Sequence, residues 1–314
     1  MHVGRLAHVA IGAADCGDEV LRFYRELLGI AEVHRNDDSV FISGGKAPAY
    51  DLAVVDGPAG LHHLAFEVDG MEDLEQARQR LEADGVTVTE VDVEADFGIA
   101  AGIRFALPAG HAFELVVLSE PEVFRGNPSV RPENYAGAGP VELEHASIDC
   151  NDVEESALFL QRNLDFFNTE YSQPAAGGKW FFAFMRTNEL HHDLGMFNHD
   201  HWEGPGFNHV GFVVPSIVEI ARVADLACAR GWKLQCSPGR HLVGNNIFVY
   251  LTDPSGNRVE VGTAMAKIEA SAPTRVFDAS GDSEWNGFDG WREGIPPAAR
   301  IPGACLPASA QTGA

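Results

Sequence analysis

The sequence predicts an α+β fold of two domains, each built from two βαβββ modules. Three observations predict it. One strand–helix layout occurs twice, in residues 62–86 and 208–232. Four stretches repeat apolar residues with the helical period, and the stretches between them alternate apolar and polar residues as strands do. A segment rich in Pro, Gly and Asn, residues 121–140, separates two halves of similar layout.

The duplicated layout is the strongest of these observations. HHLAFEVDGMEDLEQARQRLEADGV and NHVGFVVPSIVEIARVADLACARGW each contain a histidine, an apolar strand, a break, an amphipathic helix and a terminating glycine. His63 precedes Gly85 by 22 residues, and His209 precedes Gly231 by 22. Glycine just after the last periodic residue is typical of a helix end. Repeats of this length indicate duplicated domains rather than a solenoid.

The elements and domain limits follow from these patterns. Helices are expected near residues 18–28, 71–84, 152–165 and 217–230, with strands between them. The predicted domains are residues 1–120, a linker at 121–140, a second domain at 141–270 and a tail at 271–314. Trp285 and Trp291 of the tail could cover a cleft as a lid or anchor the tail on the surface, and its end has the composition of a disordered segment.

Composition excludes several classes of function. The net charge of −24 and the isoelectric point near 4.8 disfavour nucleic acid and membrane partners, because both are polyanionic. The N-terminus lacks the apolar core of an export signal. The five cysteines are odd in number and form no CxxC pair, which indicates a reducing, cytoplasmic location and argues against a zinc–thiolate site.

Three candidate metal ligands occupy matching strand positions in the second half. His145 lies in the first predicted strand of one module, His209 in the first strand of the next, and Glu260 in the last strand of that module. Any one of them alone is more often a structural residue. Together, two imidazoles and one carboxylate can bind one face of a metal and leave the other face open, which suits non-haem Fe(II) or Mn(II).

The chain resembles a known family over roughly residues 5–265. PGRHLVGNNIFVYLTDPSGNRVEV (residues 238–261) is similar to the signature of the two-domain type I extradiol ring-cleavage dioxygenases of the vicinal oxygen chelate superfamily, also described as glyoxalase-like. In that signature a His, a Tyr and a Glu recur in order, here His241, Tyr250 and Glu260. The resemblance implies His145, His209 and Glu260 as ligands of Fe(II), or Mn(II), with His241 and Tyr250 catalytic. It also implies a catechol and O2 as substrates and a homo-oligomeric enzyme of aromatic compound catabolism.

The pair His191 and His192 in ELHHDLGMF raises a separate question. If this stretch is a strand, only one of the two side chains faces the interior. The family has an acid–base histidine on the strand before the second metal histidine, often followed by Asp, which matches His192. The resemblance therefore implies that His192 shuttles a proton, a task that its ordinary pKa near 6.5 suits. His191 is expected to point to the other face and to have no role.

The first half contains an equivalent trio, His8, His63 and Glu114. Counting back from Glu114 by the spacings of the second half gives Ala95 for His241 and Arg104 for Tyr250, and Tyr50 takes the place of His192. A metal there would lack every acid–base partner. Since family members generally bind metal only in the second domain, the trio is expected to be unmetallated and the first domain non-catalytic.

Two alternatives use the same fold. A glyoxalase-type lyase or isomerase would use the metal as a Lewis acid, with His192 as a fourth ligand. A metal-free module that binds aromatic compounds would not need the three ligands in register. The substrate is left open, although Cys236 stands where relatives that cleave acetate-bearing catechols tend to have Arg. A neutral thiol cannot clamp a carboxylate, so an uncharged catechol is expected.

Overall fold

The computed structural model describes residues 1–14, 17–45, 49–119, 130–139, 141–174, 177–199, 204–278 and 289–291. The elements of the first half are β1 (Val3–Ala13), α1 (Asp18–Leu28), β2 (Ala31–Arg35), β3 (Ser39–Ser43), β4 (Leu52–Asp56), β5 (Gly60–Val68), α2 (Met71–Ala83), β6 (Thr89–Glu90), β7 (Ile99–Ala106) and β8 (Ala112–Leu118). Those of the second half are a short 3-10 helix (Pro132–Tyr135), β9 (Glu142–Cys150), α3 (Val153–Leu164), β10 (Phe167–Gln173), β11 (Phe182–Arg186), β12 (Leu194–Asn198), β13 (Gly206–Val213), α4 (Ile217–Arg230), β14 (Lys233–Arg240), β15 (Ile247–Thr252), β16 (Arg258–Thr263) and β17 (Arg275–Asp278). The predicted order βαβββ is therefore confirmed four times.

The helices begin and end where local chemistry allows. Asp152 caps α3 by accepting a hydrogen bond from the backbone N–H of Glu155 at 2.9 Å, so α3 begins one residue after the predicted position. Gly85 and Gly231 have φ angles of 79° and 72° after α2 and α4, the left-handed conformation that glycine adopts at little cost. In the described part of the chain, no helix is both long and apolar enough to cross a membrane.

Two mixed sheets place the candidate ligands on neighbouring strands. In the described residues the first sheet has the order β2-β3-β4-β1-β5-β8-β7-β6, and the second has β14-β15-β16-β13-β9-β12-β11-β10-β17. The two modules of each half meet through an antiparallel pair, β1 with β5 and β9 with β13. The last strand of each module then pairs in parallel with its first, as β16 does with β13. Strands β9, β13 and β16, which contain His145, His209 and Glu260, consequently lie side by side.

The two halves share one apolar core and are tied by buried polar contacts. One cluster of buried apolar side chains includes residues of both sheets, for example Phe66 and Phe166, whose ring centroids lie 5.1 Å apart. The side chain of Asn257 donates to the backbone carbonyl of Gly12 and accepts from the backbone N–H of Gly60. The ring of His111 lies 2.9 Å from the carbonyl oxygen of Gly206. These contacts fix the two sheets relative to each other.

Two described pieces of the tail attach to the second half. Strand β17 pairs in parallel with β10 at the edge of the sheet. Farther on, the carboxylate of Asp289 accepts the backbone N–H groups of Arg240 and Trp291, and the guanidinium of Arg240 lies 5.6 Å from the centre of the Trp291 ring. The tail is thus held beside the residue that precedes His241. Trp285 and the end of the tail lie outside the described residues.

Candidate metal centre

The side chains of His145, His209 and Glu260 converge in the interior of the second sheet. The two Nε2 atoms lie 3.1 Å apart. Oε2 of Glu260 lies 3.1 Å from Nε2 of His209 and 3.5 Å from Nε2 of His145. The three donor atoms all lie within 4.8 Å of one another, and the three residues are between 1% and 4% exposed. Strand order and donor geometry together make a compact set of two imidazoles and one carboxylate.

Strand register explains the convergence. Gly211 of β13 pairs with His145 on one side and with Glu260 on the other. A Cβ atom on Gly211 would lie 2.3 Å from the ring of His145, closer than such atoms approach in proteins. The imidazole therefore occupies the space above Gly211, and any side chain at this position would push it away.

Each ligand has a polar partner on the atom that faces away from the centre. Nδ1–H of His209 donates to Oδ1 of Asn208 at 2.8 Å, and Nδ1 of His145 lies 3.4 Å from a carboxylate oxygen of Glu144. The amide of Asn246 donates to Oε1 of Glu260 at 2.7 Å. Partners of this kind orient metal ligands and fix the histidine tautomer.

Sequence reasoning missed these three partners. Strict alternation would place Asn208 on the face opposite His209, but the register of β13 with β9 shifts between Phe207 and His209. Only the adjacent pair Asn208–His209 within β13 could have drawn attention to Asn208, and that signal is weak.

Charge in this cluster favours a cation. Burial opposes protonation of His145, but Glu144 and Glu260 outweigh burial and raise the pKa of His145 to about 10. Burial lowers the pKa of His209 to about 4. Burial would raise the pKa of Glu260, yet hydrogen bonds from His145 and His209 hold this pKa well below its usual range. A divalent ion that binds here has to displace one proton, so its affinity rises with pH.

His241 and Tyr250 lie against the same carboxylate. Tyr250 is the register partner of Glu260 on β15, and its hydroxyl lies 3.3 Å from Nε2 of His241. That nitrogen is 3.8 Å from Oε1 of Glu260. The ring of His241 stacks on Phe248 with centroids 3.7 Å apart. Both residues that the family signature pointed to therefore lie beside the donor set.

His192 also reaches the site, but the expectation that His191 points to the other face is wrong. The ring centroids of His192 and His145 lie 4.7 Å apart. His191 and His192 precede β12 rather than belonging to it, so side chains do not alternate there, and both are buried, at 2% and 6% exposure. Nδ1 of His191 lies 3.0 Å from Nδ1 of His192, and its Nε2 lies 3.3 Å from a carboxylate oxygen of Glu170.

The pKa of His192 differs from the value of 6.5 that the sequence suggested. Burial, followed by the nearby His145 and His191, lowers this pKa well below its ordinary value. The resting side chain is therefore a neutral imidazole, which can accept a proton before it returns one.

The equivalent trio of the first half converges as well. The Nε2 atoms of His8 and His63 lie 3.1 Å apart, and Oε2 of Glu114 lies 3.6 Å from Nε2 of His63. Asp96, which sequence spacing missed by one residue, joins this group. The position that corresponds to Tyr250 is occupied by Arg104, as predicted from the spacing, and Arg104 pairs with Glu114.

The donor set in the second half fits a non-haem Fe(II) or Mn(II) ion. Imidazole is a suitable ligand for iron, and carboxylate is a suitable ligand for manganese. Oxygen-activating iron enzymes use this arrangement, in which two histidines and one carboxylate occupy one face of the ion. Burial of all three donors, with an orienting partner on each, provides the preorganised site that such an ion needs.

Comparisons with known proteins point to one family. The family model described as the glyoxalase/bleomycin resistance protein/dioxygenase superfamily matches residues 5–115 and 142–261. The chain is 26% identical over 271 residues to a manganese-dependent 2,3-dihydroxybiphenyl 1,2-dioxygenase of Geobacillus genomosp. 3, covering 82% of this chain and 84% of the relative. It is 27% identical over 267 residues to a metapyrocatechase of Pseudomonas sp. (strain CF600), covering 82% and 85%.

Solved structures show the same fold. Homoprotocatechuate 2,3-dioxygenase of Arthrobacter globiformis superposes with a TM-score of 0.85 at 22% identity, covering 98% of this chain and 94% of that one. The same-named enzyme of Brevibacterium fuscum, in complex with 3,4-dihydroxyphenylacetate, superposes with a TM-score of 0.81, also at 22% identity, covering 95% and 91%. The family match spans most of both halves, and the chain therefore belongs to the glyoxalase/bleomycin resistance protein/dioxygenase superfamily.

Proposed function

We propose that this protein cleaves a catecholic ring by the extradiol, or meta, route with dioxygen, at an Fe(II) or Mn(II) ion held by His145, His209 and Glu260. Aromatic compound catabolism is the corresponding process. One observation supports this most: two imidazoles and one carboxylate lie within 4.8 Å of one another in a chain similar to extradiol dioxygenases along most of its length.

The ion would supply, when bound, a Lewis acid for the catechol hydroxyls and a meeting point for the ring and O2. The chain has the complementary task of holding that ion with little net charge left over. Glu260 and two neutral imidazoles reduce a divalent ion to a net charge of about +1, which a catechol monoanion neutralises. Asn208, Asn246 and Glu144 keep the donor atoms in place.

His192 acts as the general acid and base. As a neutral imidazole beside His145, it can accept the proton of a catechol hydroxyl and later return it to an oxygen atom that derives from O2. Burial between His145 and Phe184 restricts the exchange of that proton with bulk water. Nδ1 faces His191, which leaves Nε2 for the substrate.

His241 and Tyr250 bind the substrate oxygens. Each can donate a hydrogen bond toward an oxygen next to the donor set, because both lie within reach of Glu260 and of each other. Burial raises the pKa of Tyr250 well above its usual value, with Glu260 adding to the effect, so its hydroxyl stays protonated and remains a donor. Preorganised donors of this kind stabilise charge that develops on oxygen.

The substrate is an uncharged, apolar catechol. Cys236 is 7% exposed and packs with Phe248 and Tyr250, so a buried neutral thiol stands where relatives that cleave acetate-bearing catechols tend to have Arg. A catechol with a carboxylate side chain, such as the one in the Brevibacterium fuscum complex, would find no charged partner at Cys236. Phe182 and Phe184 contribute a second apolar surface, near His192.

The surroundings follow from charge and chemistry. We propose a cytoplasmic homo-oligomer, consistent with Cys150, Cys228 and Cys236 forming no disulfide and with the oligomeric state common in the family. The strong negative charge leaves nucleic acid and membranes as unfavourable partners.

Activity with a catechol panel tests the proposal. The protein is purified anaerobically, its iron and manganese are quantified, and each catechol is added with an oxygen electrode and a spectrophotometer as detectors. Oxygen uptake with a yellow ring-opened product is expected, and fastest for uncharged catechols. A glyoxalase-type enzyme would consume no oxygen, and a metal-free binding module would contain no stoichiometric ion. Fully loaded protein that takes up no oxygen with any catechol would contradict the proposal.

A further inference from the structure

The described residues contain a second buried group of metal-binding side chains, in the first sheet. We refer to His8, His63, Asp96 and Glu114 as the N-terminal cluster. Each offers one nitrogen or oxygen atom, and these atoms all lie within 4.8 Å of one another. His8, His63 and Glu114 are at most 5% exposed. This cluster has no part in the function proposed above.

Three of its members repeat the geometry of the centre in the second half. The Nε2 atoms of His8 and His63 lie 3.1 Å apart, the same separation as between His145 and His209. Ala65 of β5 pairs with both His8 and Glu114, as Gly211 pairs with both His145 and Glu260. Duplicated backbone register thus presents the same donor set twice.

Glu114 presents one carboxylate oxygen to the imidazoles. Two guanidinium N–H groups of Arg104 donate to Oε1 of Glu114, at 2.6 and 2.5 Å. Oε2, fully buried, has no hydrogen-bond partner among the described residues and lies 3.6 Å from Nε2 of His63 and 3.9 Å from Nε2 of His8. A buried carboxylate oxygen without a partner is costly, and a cation between it and the imidazoles removes that cost.

Further contacts orient the other donors. Nδ1 of His63 lies 2.8 Å from Nδ1 of His62, which occupies the position of Asn208 in the second half. The hydroxyl of Tyr50 donates to Oδ1 of Asp96 at 2.5 Å. That bond leaves Oδ2 of Asp96 free to face the imidazoles, 3.9 Å from Nε2 of His8. These residues act as the orienting partners that metal ligands require.

The charge of the cluster favours a cation despite Arg104. Two carboxylates and one guanidinium sum to a net charge of about −1, so a divalent ion leaves about +1. Arg104 binds the far oxygen of Glu114, and Asp96 restores the negative charge that Arg104 cancels. A cavity of about 750 Å³ borders His63, Asp96 and Arg104 and gives an ion a way in.

We propose that His8, His63, Asp96 and Glu114 bind a second divalent first-row metal ion, such as Mn(II), Fe(II) or Zn(II). The expectation of an unmetallated trio rested on the missing acid–base partners and on the resemblance to a family that generally binds metal only in the second domain. Neither argument considered a fourth donor, which Asp96 provides. Four protein donors leave fewer vacant coordination positions than three, so this ion holds β1, β5 and β8 together rather than binding a catechol.

Counting metal ions per chain tests this inference independently of any activity. Full-length protein is freed of metal, dialysed anaerobically against Mn(II) or Co(II), and its bound metal is measured. The variants are Glu114→Gln, Glu260→Gln and the double substitution. We expect two ions per wild-type chain, one in each single variant and none in the double variant, with bound Co(II) also raising the melting temperature of Glu260→Gln.

A gentler variant guards against misfolding. Asp96→Asn retains the size of the side chain and should weaken binding of the N-terminal ion by about tenfold or more. Glu94→Gln, an exposed residue of the same loop, is the matched control and should bind as the wild type does.

The outcomes separate this inference from the proposed function. A single ion per wild-type chain, or full binding by both Glu114→Gln and Asp96→Asn, overturns the N-terminal site. Loss of one ion from Glu114→Gln but none from Glu260→Gln supports the N-terminal site and contradicts the metal centre on which the proposed function depends.

Discussion

The two halves place two histidines and one glutamate in the same strand register, yet they surround them with different chemistry. In the second half the neighbours are His192, His241 and Tyr250, which can move or donate protons. In the first half the corresponding neighbours are Tyr50 and Arg104, with Asp96 as an additional carboxylate. Backbone duplication therefore provides a donor set, and the residues around the donors decide what that set can do.

The two glutamates also differ in the charge of the group that holds them. Glu114 is locked by a guanidinium that carries a permanent charge, whereas Oε1 of Glu260 is held by the neutral amide of Asn246. A fixed ion pair suits a site that only holds an ion. Neutral donors suit a site in which charge has to shift during a reaction. Five changes test this reading, beginning with the largest expected effect.

Glu260→Gln should abolish catechol turnover, with a loss of at least about a thousandfold. A carboxamide binds a divalent ion poorly, and Lewis-acid stabilisation is worth several kcal/mol, with each factor of ten in rate worth about 1.4 kcal/mol. Oxygen uptake and bound metal are measured together. Glu75→Gln on the exposed face of α2 is the control. Normal turnover by Glu260→Gln would remove this residue from the centre.

His192→Phe replaces the imidazole with an aromatic ring that cannot carry a proton. In the first half, the equivalent position holds the aromatic side chain of Tyr50. Turnover should fall by about 10²–10⁴-fold, because positioned general acid–base groups contribute this much. Metal content and anaerobic catechol binding should remain. Unchanged turnover would exclude the acid–base role of His192.

His111→Gln tests one contact between the halves, that of His111 with Gly206, through the pH dependence of folding stability. Burial lowers the pKa of His111 to about 4, below its ordinary value of 6.5. Since the unfolded chain binds the proton more tightly, His111 stabilises the folded state fully above pH 6.5, and this contribution is lost as the pH falls toward 4. The contribution is at most about 3 kcal/mol.

Chemical unfolding across that pH range measures the effect. Wild-type stability should fall between pH 6.5 and 4 more steeply than that of His111→Gln, and the two slopes should agree outside this window. Parallel profiles throughout would show that the contact between His111 and Gly206 does not exclude the proton.

Gly211→Ala converts this position to that of the first half, where Ala65 stands. A Cβ atom would lie 2.3 Å from the ring of His145 and would displace it. Metal affinity in the second half should fall by about 10–100-fold, as when the partners of metal ligands are changed. The reciprocal Ala65→Gly should leave catechol turnover unchanged. Equal metal affinity in Gly211→Ala would show that His145 is not held in this position.

Cys236→Arg should change substrate preference rather than rate. A guanidinium at this buried wall can pair with a carboxylate side chain, and a hydrogen bond between charged groups is worth about 1.5–3 kcal/mol. The ratio of kcat/KM for 3,4-dihydroxyphenylacetate to that for catechol should rise by about tenfold. Cys228→Arg, at an exposed cysteine, controls for added charge. An unchanged ratio would place Cys236 away from the substrate.

Much of the fold follows from the sequence because periodicity and helix ends are local signals. The four helices, the strands between them and the glycines at 85 and 231 were all predictable. Strand β17 was not, because its four residues pair with β10 and have little pattern of their own.

The site was predictable where spacing is preserved and missed where strands are irregular. The convergence of His145, His209 and Glu260 was predictable because the two halves have equal residue spacings, and equal spacings give the strands the same register. His191 and Asn208 were missed since alternation breaks in the turn before β12 and at the register shift in β13. Asp96 was missed because the loop before β7 places it one residue away from the position that spacing indicates.

Isotope labelling in a single turnover tests the central claim most directly. Iron-loaded protein is mixed anaerobically with an uncharged catechol, exposed to ¹⁸O₂, and quenched with borohydride so that the product carbonyl cannot exchange its oxygen with water. Ring cleavage at the centre of His145, His209 and Glu260 predicts two ¹⁸O atoms in the ring-opened product of the wild type and no product from Glu260→Gln. Intact catechol, or the same labelled product from both proteins, would contradict the account.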